Sequence, residues 1–102
     1  MIKHIVLWKL KENADGRSKS ENALLLKQRL ENLNGIIPGM HCLEVGINLV
    51  NNHTDDDVDV VLYSEFENME ALQAYYPHPE HVKLKDFVQE IRYERRVIDY
   101  QV

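Results

Sequence analysis

The segment best suited to chemistry is Tyr75–His81, which reads YYPHPEH. Pro77 and Pro79 interrupt any helix here, because proline has no N–H and restricts the residue before it. The interruption holds two tyrosines and two histidines on a bent segment, and these side chains donate, accept or carry protons near neutral pH. The sequence therefore predicts that a chemical site, if the chain has one, begins at this segment.

A second group of candidate residues lies near the start of the chain, where the sequence pattern predicts a β-strand. His4, Val6 and Trp8 share one face of this strand, and Ile5 and Leu7 lie on the other. Both faces are largely apolar, which is typical of a strand covered on two sides. If the first face lines a cavity, His4, Val6 and Trp8 line it, and the alternative is a hydrogen-bonded core histidine at position 4.

The rest of the chain predicts the elements that position these residues. Residues 11–17 are polar and predict a loop. Ser18 and Glu21 have the spacing of a capping box, and a stripe of leucines predicts a helix that we expect Asn34-Gly35 to end. The remaining predicted elements are strands at 40–49, 58–66 and 93–101, a helix capped by Asn68, and a helix after the proline break that His78 caps.

The predicted order β-α-β-β-α-β is that of the ferredoxin-like fold, an α+β architecture, and residues 1–102 form one such domain. Right-handed crossovers place the third strand beside the first in a four-stranded antiparallel sheet with both helices on one face. The opposite face would expose an apolar area above about 400 Å², which is rare on a soluble monomer. We therefore expect a homodimer whose two sheets close an α/β barrel around a cavity, with Trp8 facing away from the helices.

Charge and hydropathy narrow the possible partners. The chain has 12 Lys and Arg against 17 Asp and Glu, a net charge of −5, which argues against nucleic acid or an anionic membrane surface. No apolar run approaches the ~20 residues of a membrane span, and the start of the sequence does not resemble a signal peptide. The one cysteine, Cys42, cannot form an internal disulfide, which predicts a cytoplasmic location.

Other polar clusters predict no further site. His78 and His81 form an H-x-x-H pair, but no third ligand is placed to complete a metal site. Asp55–Asp57 lacks the spacing of a calcium-binding EF-hand loop and predicts a solvated hairpin loop. The arginines within residues 92–96 lie among acidic residues, which predicts paired surface or interface charges. We expect neither a metal nor another cofactor.

Three motifs carry a resemblance to a known family. They are IKHIVLWKLK at residues 2–11, the IPGM turn at Ile37–Met40, and Tyr75 followed by the His78–Val82 run HPEHV. In this order they resemble the stress-responsive dimeric α/β-barrel (Dabb) family over nearly the whole chain. That family mixes stress proteins with a few plant polyketide cyclases. The resemblance therefore implies a ferredoxin-like dimeric barrel and leaves the function open.

The resemblance also implies roles for individual residues. In the cyclases, the tyrosine before the H-P-x-H motif and the second histidine of that motif are catalytic, and these match Tyr75 and His81. His81 would be the general base toward an activated methylene carbon, and Tyr75 would polarise a carbonyl group. The alternative is that His81 buttresses the helix bend and that Tyr75 only packs. The cyclases carry another histidine on the third strand, where this chain has Val60, and this departure argues against the same polyketide cyclisation.

Three functions remain as hypotheses. The first is binding of a small hydrophobic carbonyl or phenolic compound, with weak proton-transfer chemistry of the cyclase kind. The second is a non-catalytic stress or structural dimer, and the third is a cofactor-free monooxygenase-like enzyme. An open cavity faced by Tyr75 and His81 would favour the first hypothesis, whereas an interior filled by side chains would favour the second.

Overall fold

The structure is a computed structural model that describes residues 1–49 and 56–102. Part of the predicted acidic loop, including Asp55, lies outside the described residues. The described elements in chain order are β1 (Ile2–Leu10), β2 (Asn13–Ala14), β3 (Arg17–Ser18), α1 (Lys19–Glu31), β4 (Met40–Ile47), β5 (Val60–Phe66), α2 (Met69–Tyr75), α3 (Pro79–Ile91) and β6 (Arg92–Gln101).

Four long strands form one antiparallel sheet in the order β4-β5-β1-β6. The first strand is therefore central, with the third long strand on one side and the last on the other, as the right-handed crossovers predict. Ile5 pairs with Tyr63 on β5 and with Ile98 on β6. The α+β ferredoxin-like architecture predicted from the sequence is confirmed.

The start of α1 follows the predicted capping box. The Glu21 N–H donates to Ser18 Oγ at 3.2 Å, and the Ser18 N–H donates to Glu21 Oε1 at 3.1 Å. The helix ends earlier than predicted, at Glu31, because the next turn tightens through i→i−3 hydrogen bonds such as Leu33 N–H to the Leu30 carbonyl at 3.0 Å. Gly35 adopts a left-handed backbone in the connection that follows.

Residues 11–17 do not form the predicted loop. Strands β2 and β3 make a short hairpin whose turn is Asp15-Gly16, and both turn residues have positive φ, 53° and 75°. Asp-Gly is the usual sequence for this tight type of hairpin turn, because both positions need a left-handed backbone. The flanking residues are polar and lack the apolar alternation of a strand, which is why the sequence pattern favours a loop here.

The helices cover the face of β1 that carries its even-numbered residues. Trp8 is only 4% exposed, and it lies on that face beside Val6 and His4. The expectation that Trp8 faces away from the helices was therefore wrong. The physical reason is the placement of Lys3 and Lys9 on the other face, because burying two unpaired ammonium groups beneath helices would be strongly unfavourable.

Candidate functional site

The proline break sets the positions of the two helices that frame the site. Asn68 caps α2, accepting a hydrogen bond from the Ala71 N–H at 2.9 Å, and α2 ends at Tyr75. His78 caps α3 as predicted, because its Nδ1 accepts from the Glu80 N–H at 3.1 Å. With Pro79 in the first turn of α3, the chain re-enters a helix at once. His81 is thereby fixed in that first turn, close to the end of α2.

A cavity of about 390 Å³ lies between the sheet and the helices. This volume falls within the usual range for small-molecule sites. Its walls combine apolar, aromatic, histidine and basic side chains: His4, Val6, Trp8, Leu30, Leu62, Tyr75, Tyr76, His81, Val82, Leu84, Lys85, Val88, Gln89, Arg92 and Arg95. The structure thus brings the five candidate side chains from the sequence around one cavity.

The position of this cavity differs from the expectation. It lies within one chain, bounded by β1 and β5 on the sheet side and by α3 on the other, and not between two facing sheets. The cause is the orientation of β1, whose His4 and Trp8 side chains point toward the helices. A second copy of the chain is therefore not needed to form these walls.

Tyr75 and His81 lie side by side on the cavity wall. Their ring centroids are 4.3 Å apart, with an angle of 42° between the ring planes. His81 Nδ1 is 2.9 Å from the Tyr76 carbonyl oxygen, which can only accept, so Nδ1 carries the proton and donates it. Burial lowers the pKa of His81, and the charge of Arg95 adds to this effect. The ring is therefore neutral at pH 7, with a lone pair on Nε2.

Tyr75 supplies a neutral phenol to the same wall. Burial raises the pKa of its hydroxyl group, so the proton stays on the oxygen at neutral pH. The ring packs on Phe66 at a centroid distance of 5.2 Å. Among residues 1–49 and 56–102, the hydroxyl has no hydrogen-bond partner. It is therefore available as a donor to a ligand.

His4 is both a cavity residue and a hydrogen-bonded core histidine. Its side chain is 2% exposed, and Nδ1 lies 2.5 Å from Asp99 Oδ1, to which it donates. Its ring contacts the edges of Tyr75 and Tyr76 at centroid distances of 6.1 and 5.9 Å. The two interpretations drawn from the sequence are therefore compatible.

Trp8 forms part of the floor of the cavity. Its indole Nε1 is buried and has no hydrogen-bond partner among the described residues. Buried donors in folded proteins usually have a hydrogen-bond partner, so this N–H group is available to an acceptor on a ligand. Since Trp8 is the one tryptophan of the chain, its fluorescence reports on this cavity alone.

The basic residues of the cavity were missed from the sequence. Arg92 and Arg95 were expected to form paired surface or interface charges, and both instead line the cavity together with Lys85. Only Arg96, on the other face of β6, follows the expectation, with an ion pair to Glu94 at 3.5 Å. A usable signal existed, because the antiparallel register of β1 and β6 sets Arg95 opposite Trp8 and on the same face.

Both histidines of the H-x-x-H pair make hydrogen bonds to the backbone. His78 uses Nδ1 to cap α3, and His81 uses Nδ1 to hold the Tyr76 carbonyl. Within the described ranges, no cluster of three His, Cys, Asp or Glu side chains could hold a metal ion.

None of the helices in these ranges is long and apolar enough to span a bilayer.

The sequence of this chain matches a known family over nearly its whole length. The sequence profile of the stress responsive A/B barrel domain, Dabb, matches residues 2–102. The chain belongs to the Dabb family. Membership accounts for the three motifs described above, since they lie on β1, before β4 and at the α2–α3 break.

Relatives of this Dabb chain include enzymes and proteins without a known function. Olivetolic acid cyclase from Cannabis sativa is 25% identical over 99 residues, covering 97% of this chain and 94% of the cyclase. A dimeric ferredoxin-like protein of unknown function from Bacteroides fragilis superposes with a TM-score of 0.78 at 33% identity, covering 99% and 95% of the two chains. At3g17210 from Arabidopsis thaliana superposes with a TM-score of 0.79 at 26% identity, covering 100% and 95%.

Proposed function

We propose that this Dabb protein binds a small hydrophobic carbonyl or phenolic compound in its cavity and transfers a proton on it through His81 and Tyr75. The observation that carries the proposal is the close approach of the His81 and Tyr75 rings on one cavity wall, with His81 Nδ1 held by the Tyr76 carbonyl. The cavity of about 390 Å³ gives room for the compound, and its apolar residues suit a hydrophobic body.

The chemistry follows from the protonation states of the two side chains. His81 Nε2 would accept a proton from the carbon next to a carbonyl group, and the Tyr75 hydroxyl would donate a hydrogen bond to the carbonyl oxygen as negative charge develops there. Because burial disfavours the imidazolium, His81 would readily return the proton to the product. In a cyclase reaction the enolate carbon would instead attack a second carbonyl carbon of the same molecule.

The similarity to olivetolic acid cyclase supports the reaction class and not the substrate. Val60, on β5, is buried and contributes no proton donor or acceptor where the resemblance implies a third-strand histidine in the cyclases. We therefore expect simple proton transfer, or cyclisation of a different compound. A cofactor-free monooxygenase-like activity stays a second hypothesis, which oxygen uptake with an electron-rich phenol would detect.

We further propose that the protein is a homodimer joined through the open face of the sheet. Three apolar side chains, Tyr63, Ile5 and Ile98, lie side by side across β5, β1 and β6 on this face, and Ile98 is 58% exposed. Such an apolar stripe on a sheet is typical of an interface. The dimeric relative from Bacteroides fragilis supports this assembly. The single cysteine still predicts a cytoplasmic location.

The test is deuterium exchange at the activated carbon of phenylacetone in heavy water, followed by NMR. The wild-type protein should accelerate exchange above buffer, and His81→Gln should lower the catalysed rate by ~10²–10⁴. His78→Asn is the matched control, because asparagine also caps helices and His78 does not line the cavity. Exchange at the buffer rate with wild-type protein would reject the catalytic part, and binding of phenylacetone without exchange would reduce the proposal to a binding protein.

A further inference from the structure

The charge of the cavity wall is opposite to that of the chain. Acidic residues outnumber basic ones by 17 to 12 in the sequence. Yet, within residues 1–49 and 56–102, the cavity is lined by three basic side chains, Lys85, Arg92 and Arg95, and by no Asp or Glu. Lys85 and Arg95 are exposed and Arg92 is half-buried, so these three cations form a rim where the cavity meets solvent.

These three cations lack a carboxylate partner in the part of the chain that the structure describes. In residues 1–49 and 56–102, ion pairs form at Lys83 with Glu80 and at Arg96 with Glu94, but none forms at Lys85, Arg92 or Arg95. The nearby Asp99 is occupied by His4. Three unpaired cations on one rim leave a positive potential at the mouth of an apolar cavity, which attracts and retains anions.

Arg95 connects this rim with the reactive pair. It lies opposite Trp8 in the β1–β6 register, and its charge is felt at both Tyr75 and His81. Lys85 lies on α3, and Arg92 is the first residue of β6, directly after α3 ends, and both line the same cavity as Arg95. A guanidinium group can bind a carboxylate with two parallel hydrogen bonds, which a lysine cannot do.

We infer that the ligand of this cavity is a hydrophobic carboxylate, whose acid group Arg95 binds together with Lys85 and Arg92. Its carbon body then lies against Val6 and Trp8, and its polar atoms face Tyr75 and His81. The inference rests on the proposed binding function and adds the acidic group to it. A carboxylate at this rim also counters the positive charge beside His81, so binding makes His81 a stronger base.

The test uses calorimetry with two matched pairs of probes, para-pentylbenzoate with para-pentylbenzamide and octanoate with octanamide. Each pair keeps the carbon body and changes only the charge. At about pH 7.5 and low salt we expect the carboxylates to bind ~10-fold more tightly than the amides, a preference that should shrink as salt screens the rim.

Arg95→Gln is the decisive variant, and Arg96→Gln is its matched control, because the neighbouring arginine lies on the other face of β6. Arg95→Gln should weaken binding of both carboxylates ~10-fold and leave both amides within about twofold of wild type. Arg96→Gln should change neither class. Lys85→Gln, on α3, should also weaken binding of the carboxylates selectively, but by a smaller factor. Because the two variants change different elements, a folding defect in one of them cannot decide the result.

The possible results separate the two proposals. Equal affinity for acids and amides, or an equal loss of both in Arg95→Gln, overturns the carboxylate site while leaving the binding cavity intact. If neither acids nor amides bind, the proposed binding function fails and the carboxylate site fails with it. A selective loss of acids in Arg96→Gln would place the anion on the open face of the sheet and would also overturn the inference.

Discussion

The ring centroids of Tyr75 and His81 are 4.3 Å apart, although the two residues belong to different helices. Tyr75 is the last residue of α2, and His81 lies in the first turn of α3. The two helices meet there because His78 caps α3 and its carbonyl accepts the backbone N–H groups of His81 and Val82, each at 2.9 Å. A continuous helix would not give this arrangement, since residues six apart lie on different faces. The proline break therefore creates the pair.

Replacing Tyr75 by phenylalanine separates the chemical role of the hydroxyl from the packing role of the ring. The hydroxyl has no partner among the described residues, so Tyr75→Phe should change the free energy of unfolding by less than ~1 kcal/mol. Catalysed exchange of phenylacetone should fall by ~10²-fold, as when an oxyanion donor is removed. Urea denaturation and NMR measure the two effects on the same sample.

Tyr75→Ala is the contrasting variant, because it also removes the ring that packs on Phe66 and His81. We expect it to destabilise the fold by ~3–5 kcal/mol. If Tyr75→Phe destabilised the protein as strongly, or left exchange unchanged, Tyr75 would be a packing residue and not a donor to substrate.

The sequence predicts the parts of this site that depend on local chemistry. Ser18, Asn68 and His78 were each expected to begin a helix, and each accepts the backbone hydrogen bond of a cap. Those caps and the proline break are encoded within a few residues of the structure they determine. The strand order follows from the same elements through the handedness of the crossovers.

The location of the cavity could not be derived locally. Both faces of β1 are apolar, so the side that the helices cover depends on which side can leave its lysines in water. That choice fixes whether Trp8 lies in the cavity or at the dimer face. Arg95 was missed for a related reason, since its role depends on its register opposite Trp8 and not on its neighbours in sequence.

The stability of the protein should depend on pH through His81. Burial lowers the folded-state pKa of this side chain below its ordinary value of 6.5. As pH falls below 6.5, the unfolded chain binds a proton at His81 while the folded chain does not, and this favours unfolding. The stabilising contribution of a neutral His81 is therefore complete above pH 6.5 and is lost as pH falls to the folded-state pKa. We expect the unfolding free energy to decrease from about pH 7.5 to about pH 5 more steeply in wild type than in His81→Asn.

Proton NMR of the histidine ring in the folded protein provides the independent check. Its titration should give a pKa for His81 below 6.5, the direction set by burial. A pKa above 6.5, or identical pH dependence of stability in wild type and His81→Asn, would show that the ring is solvated or paired and is not held neutral.

Trp8 should contribute through packing and not through its N–H group. Because Nε1 has no hydrogen-bond partner among the described residues, Trp8→Phe loses only part of the ring volume, whereas Trp8→Ala should destabilise the fold by ~3–5 kcal/mol. Urea denaturation followed by circular dichroism measures both variants, since neither retains tryptophan fluorescence. Equal and small losses in the two variants would mean that Trp8 packs loosely around the cavity.

The proposed dimer is tested at Ile98, which lies on the edge strand β6 beside Ile5 of the neighbouring strand β1, on the open face of the sheet. In a symmetric dimer each substitution acts twice, and Ile98→Glu would bring two unpaired carboxylates into the interface. Sedimentation of the wild-type protein at micromolar concentration should give about twice the 12.0 kDa of one chain, whereas Ile98→Glu should sediment as a folded species near 12.0 kDa.

Leu24→Glu on α1 is the matched control, because Leu24 is similarly exposed (51%) but lies away from the sheet. The control should stay dimeric. A wild-type protein that sediments as a stable monomer, or a Leu24→Glu variant that dissociates as readily as Ile98→Glu, would contradict an interface through the sheet.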